Sequence, residues 1–245
     1  MGVNPAALIE LLDWPDSHGP IAVAARHSPP GTTVPTAWEA IVRSDDAQAR
    51  CRFAFELWGE DFLELVPNFR TQLAHSLVDV RVCTTSARSI LVYVFEPDPD
   101  RHVLWIGWDP ATFGDNLPRF WDSIPAPVRR FLRETHAGFV SVDWETFGLM
   151  EPSEMITSAQ KVDFSDEQAA AWDDTVHVVD YVSGAYKPMS CTRLLVIATR
   201  GWVLDYCISP DAPPGTLCFV DSSEIVVRDF GSTLDELLMR HLEGW

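Results

Sequence analysis

The sequence predicts an α+β fold, a mainly antiparallel sheet flanked by helices, and three observations carry that expectation. Strand-like stretches at 78–83, 90–95 and 103–108 follow one another with short turns between them. A second series lies at 176–182, 193–199, 202–208 and 216–221. Helical periodicity is strongest elsewhere, above all at 120–132 and 232–242, so strands and helices are segregated instead of alternating.

At the amino terminus, Asn4 and Pro5 supply an N-cap and a proline at the first helical position, and Leu8, Leu11 and Leu12 give that short helix an apolar face. Residues 21–25 read as a small strand and 27–35 as a proline-rich connection. Thr36 and Glu39 form a capping box for a short helix carrying Trp38 and Ile41. Cys51, Phe53, Phe55 and Leu57 are spaced two apart, which predicts a half-buried strand. Glu60, Asp61 and Glu64 complement a helix dipole. A helix over 67–77, with Phe69, Leu73 and Leu77 on one side, leads into the first strand series.

Residues 109–116 are polar and mark the expected internal boundary, between an N-terminal α/β region or second domain, 1–112, and a C-terminal domain, 113–245. Past it, Phe120, Trp121, Ile124, Val128, Phe131 and Leu132 recur at helical spacing, with Pro125 and Pro127 near the start of the helix proper and Gly138 as its stop. Residues 139–144 read as a strand and 153–159 as a short helix, and Ser165 with Gln168 caps another helix through Trp172. In the second strand series, 210–215 is a tight turn. The closing helix has Thr233 and Glu236 as its capping box, with Leu234, Leu237, Leu238 and His241 on one face.

The charge narrows the function. The 245 residues include 36 acidic and 18 basic side chains, a net charge of −18. The excess is spread along the chain, −7 over 1–112 and −11 over 113–245. Such a field repels nucleic acid and anionic membrane and attracts a basic protein. Five cysteines at irregular spacing, with no CxxC, fit a reduced cytoplasm and a role as small core residues. Glu10 and Asp13 stand where a signal peptide would carry basic residues, and no apolar run is long enough to span a bilayer.

Motifs for catalysis are absent: no GxSxG, P-loop, GxGxxG or HExxH occurs. None of the seven histidines pairs with another at i, i+2 or i, i+4, and most are expected on loops or the surface, so neither a metal nor a cofactor is predicted. Cys207, flanked by Asp205 and Tyr206, alternates like a strand residue and reads as a core thiol. Arg129, Arg130 and Arg133 read as the solvated side of a helix. Most of the ten tryptophans are expected in the core, with Trp202 a candidate anchor for a partner.

One family resemblance adds to this reading. Leu117-Pro118 leads into a helical stretch ending near Gly138, followed by Gly148-Leu149-Met150 and Ser153-Glu154-Met155. Then come Leu195-Val196-Ile197-Ala198-Thr199, Leu204-Asp205-Tyr206-Cys207-Ile208 and the closing segment Gly231-Ser232-Thr233-Leu234-Asp235-Glu236-Leu237-Leu238. In this order the segments resemble the SUKH superfamily of bacterial polymorphic-toxin immunity proteins, over slightly more than half the chain. The turn Thr199-Arg200-Gly201 is shorter in glycine than the family's, and Ser209 stands where members often carry an acid. The resemblance implies a SUKH-like domain at 113–245 and a cytoplasmic immunity protein, not an enzyme, that neutralises a cognate toxin by covering its active surface. With the charge, it implies a basic toxin such as a nuclease domain. An intracellular adaptor of the same fold is the alternative, and a hydrolase built from dispersed Asp, His and Cys residues the third reading. The candidate contact residues, around the turns of the C-terminal sheet, are Trp202, Asp205, Tyr206, Asp211 and Asp221.

Overall fold

The apolar run from Ile90 to Phe95 has no exposed side chain, so the strand that carries it must lie between two packed layers. It does so in the computed structural model, which describes residues 2–12, 20–24, 34–85, 88–142, 148–182, 189–200, 204–221 and 224–244. Six strands form the first sheet: β1 (Ala22–Val23), β2 (Leu77–Thr84), β3 (Ser89–Asp98), β4 (Arg101–Trp108), β5 (Phe139–Ser141) and β6 (Gly148–Leu149). Their spatial order is their chain order, and every pairing is antiparallel. Val92, Val94, Leu104 and Ile106 face one layer, where Leu8 and Leu12 of α1 (Pro5–Leu12) cover them.

Leu91, Tyr93, Phe95 and Trp105 face the other layer. There they meet side chains of α2 (Glu39–Arg43), α3 (Ala47–Glu56), α4 (Glu60–Leu63), α5 (Pro67–His75) and α6 (Ala126–Arg130). Two short helices, α7 (Ser158–Lys161) and α8 (Asp166–Asp173), then lead to the second sheet. It contains β7 (His177–Asp180), β8 (Leu195–Arg200), β9 (Leu204–Ile208), β10 (Thr216–Asp221) and β11 (Glu224–Asp229), ordered β7-β11-β10-β9-β8. Only β7 and β11 pair in parallel among these strands. The chain closes with α9 (Phe230–Glu243), whose Leu234, Leu237, Leu238 and Leu242 are buried. Burying a leucine contributes about 1.5–3 kcal/mol, so this face suffices to hold the helix down.

Several expectations need correction. The boundary at 112/113 does not divide the sheets: β5 and β6 extend the first sheet from beyond it, and one core holds Leu91, Trp105, Ile197, Ile208 and Leu238 together. The reason is the free edge of β4, which without β5 would leave a row of backbone groups unpaired. The two sheets also touch, with Met150 N–H donating to Ile197 C=O at 2.9 Å.

Of residues 51–57, expected as a strand, 51–56 belong to α3 and Leu57 is its C-cap, while Asp46 caps the other end by accepting from Ala49 N–H. The face of α3 toward the core is Ala47, Arg50 and Ala54, at helical spacing. A buried arginine in that face disguises it. Arg50 reaches Asp79 at 2.6–2.8 Å and the carbonyls of Val80 and Ser44, while the second Asp79 oxygen accepts from Val3 N–H and Arg81.

The capping residues differ as well. Pro35 precedes the turn at Thr36–Trp38 with no side-chain cap, and Asp229, not Thr233, caps α9. Residues 121–123 form a separate 3-10 turn, because Pro125 holds Ile124 extended and α6 can start only after it. α6 then widens into a π turn at Phe131–Thr135. The capping box at Ser165 and Gln168 is present. Among the described residues no helix is long and apolar enough to cross a membrane.

Candidate interaction groove

α9 does more than close the core. Its Asp229 cap accepts from Ser232 N–H at 2.8 Å, and one turn later Asp235 points away from its own helix. Asp235 is 3 % exposed and accepts three hydrogen bonds from the start of α5: Asn68 N–H at 3.1 Å, Phe69 N–H at 2.9 Å and the Asn68 amide at 2.8 Å. These are the free donors that any helix start presents, and a carboxylate from α9 meets them. Gly231 allows the approach, since a Cβ there would stand 3.0 Å from Leu65 O.

Between the two helices runs an open groove of about 1040 Å³. Leu65 and Met239 supply apolar lining, with the carboxylates Glu64, Asp229, Glu236 and Glu243 around them. Arg200 and Arg240 also line it, and Glu236 engages both Arg240 Nε at 3.1 Å and, at 3.7 Å, Arg228. A second groove of about 930 Å³ lies at the C-terminal end of α5, lined by Asp45, Asp46 and Glu96 together with His75 and His102.

The sequence-derived contact residues do not form one patch. Tyr206 pairs with Phe219 across the strands, their rings 5.4 Å apart, on the α9 side of the second sheet. Burial raises its phenol pKa, while the Arg240, Arg200 and Arg228 charges draw it back against Glu236. By strand alternation Asp221, at the exposed end of β10, shares that side. Asp205 points to the opposite side, where Lys161 reaches it at 2.5 Å. Asp211, in the turn after β9, holds Arg193 through two hydrogen bonds of 2.5 and 3.0 Å. Trp202 lies outside the described residues.

Sequence reasoning missed the α5 wall, because nothing local links Asn68 to an aspartate 167 positions away. It also missed the deepest histidine among the described residues. His136 is fully buried, and its Nε2 lies 2.7 Å from Tyr93 OH, which in turn accepts from Trp58 Nε1–H at 3.2 Å. The indole can only donate, so Tyr93 Oη accepts from it while sharing a second hydrogen bond with the His136 ring. Burial lowers the His136 pKa to about 3, partly offset by the Trp108 backbone, so the ring stays neutral. Gly107 makes room for it, since a Cβ would stand 2.4 Å from the ring.

Cys207 is fully buried and its pKa is pushed well above 9 by burial, as for a core thiol. Among the described residues no group of three or more His, Cys, Asp or Glu side chains is placed to hold a metal. Scans against models of protein families, curated proteins and solved structures return no match to this chain.

Proposed function

We propose that this protein is a cytoplasmic immunity protein that binds a basic bacterial toxin domain and covers its active surface. The observation that carries the reading is the state of the positive charge. Arg43, Arg70, Arg129, Arg130, Arg193 and Lys161 each sit on a carboxylate within the chain. These pairs neutralise six carboxylates and leave the net charge of −18 in place. A cationic partner is therefore drawn in from a distance and oriented on arrival. The groove between α5 and α9 supports the same reading, because it pairs apolar lining with a carboxylate border, and so does the resemblance of 117–238 to the SUKH immunity proteins.

The test is affinity capture with tagged protein from the native lysate at moderate salt, with bound proteins identified by mass spectrometry. The reading expects one stoichiometric, basic partner that forms the C-terminal end of a large secreted protein. Recovery of several host proteins instead would favour an adaptor and count against immunity.

A further inference from the structure

The second sheet holds two thiols that neither the groove nor the ion pairs use. Cys207 in β9 and Cys218 in β10 stand directly opposite each other in antiparallel register. Side chains so paired leave the sheet on the same face, and both belong to one small apolar cluster with Val196, Val220 and Val227. Opposed residues on antiparallel strands have Cα atoms about 4.5 or 5.5 Å apart, and disulfides bridge Cα separations of about 4.4–6.8 Å. Because Phe230 N–H donates to Gly215 C=O and Val196 N–H to Ile156 C=O, the Cys207–Cys218 pair is the hydrogen-bonded, wider kind. Its Cβ atoms stand about 5.5 Å apart against about 3.5–4.5 Å in a disulfide, so the two strands must draw together locally for the bond to close. Both thiols are free and buried, with Ser158 Oγ 3.5 Å from the first and Met189 Sδ 3.8 Å from the second. The remaining cysteines lie elsewhere: Cys83 under α1, Cys191 beside α8 and Cys51 on α3.

We propose that Cys207 and Cys218 are a disulfide-forming site, closed by exchange with a small disulfide of the glutathione class. One cysteine loses its proton to water and its thiolate attacks glutathione disulfide, giving a mixed disulfide and one glutathione thiolate. The second cysteine, likewise deprotonated, attacks the protein sulfur of that adduct, and the intramolecular S–S bond forms as the second glutathione leaves. Two electrons pass to glutathione disulfide, and the two protons end on the two glutathione thiols.

Burial governs the rate. It pushes the Cys218 thiol up to about 12 and Cys207 well above its usual value, so exchange proceeds through locally opened forms. The product staples a hairpin whose turn carries Asp211 and whose other face carries Tyr206 and Phe219. This site is independent of the partner-binding reading.

To test it, reduced protein is incubated with glutathione disulfide at mildly alkaline pH in rising sub-denaturing urea, and a parallel sample is refolded from urea in a glutathione redox buffer. Both are alkylated, digested and analysed by mass spectrometry. The expected result is a bond between the Cys207 and Cys218 peptides, formed faster as urea rises and present in the refolded sample. The variants Cys207→Ser and Cys218→Ser should instead retain a glutathione adduct at the remaining thiol. Full alkylation of both cysteines in the refolded sample would overturn the proposal, as would a bond from either to Cys51, Cys83 or Cys191.

Discussion

At the scale of single residues, His136 shows how one buried side chain sets a dependence on pH. Its pKa is about 3 in the folded chain and near 6.5 when unfolded, so the unfolded chain takes up the proton first. The stability contributed by the neutral ring is complete above the unfolded value and is lost as pH falls through it. The loss amounts to about 1.4 kcal/mol per pH unit between roughly pH 6.5 and 3. Urea unfolding at pH 7, 6 and 5 should follow this slope in the native chain and lose it in His136→Phe; a native profile that is flat from pH 6.5 to 5 would contradict the assignment. Asp79 holds the chain together in another way, because it neutralises Arg50, whose side chain is 2 % exposed. Asp79→Ala leaves that guanidinium buried and unpaired and should cost about 3–5 kcal/mol in the same assay.

At the scale of elements, the joint between α5 and α9 rests on Asp235. Asp235→Ala removes the acceptor of three hydrogen bonds and should destabilise by about 1–3 kcal/mol, and hydrogen exchange should rise at Asn68 and Phe69. Protection unchanged at those two amides would mean that the cap is not held in solution. Elements were legible in the sequence where their own pattern sufficed. β2, β3 and β4 alternate or run apolar as expected, and α9 carries its leucines on one face. α3 was not legible, because its core face includes an arginine whose partner comes from a distant strand. β11 was passed over although Ile225, Val226 and Val227 are all buried, and β6 is only two residues long. The groove was not legible, because its α5 wall meets α9 only through tertiary packing.

At the scale of the whole molecule, two sheets share one core, and 36 acidic side chains stand against 18 basic ones. The strand pattern made the α+β class legible, but not the continuity of the first sheet across residue 112, which depends on β4 finding β5. Long-range attraction should therefore control how fast a basic partner arrives. Raising the salt from about 0.1 to about 1 M shortens the screening length from about 10 to about 3 Å and should slow association roughly tenfold or more. Replacing Glu64 and Glu243 by lysine should slow association at low salt and leave circular dichroism unchanged, since both side chains are exposed at the groove. An unchanged rate would place the docking surface elsewhere while leaving the charge argument intact.

Immunity means protection, and growth reports it most directly. The captured partner's toxic domain is expressed from an inducible promoter with and without this chain, and colony-forming units are counted. The domain alone should stop growth, and co-expression should restore it. A domain that is harmless alone, or one that kills equally well beside this chain, would contradict the account.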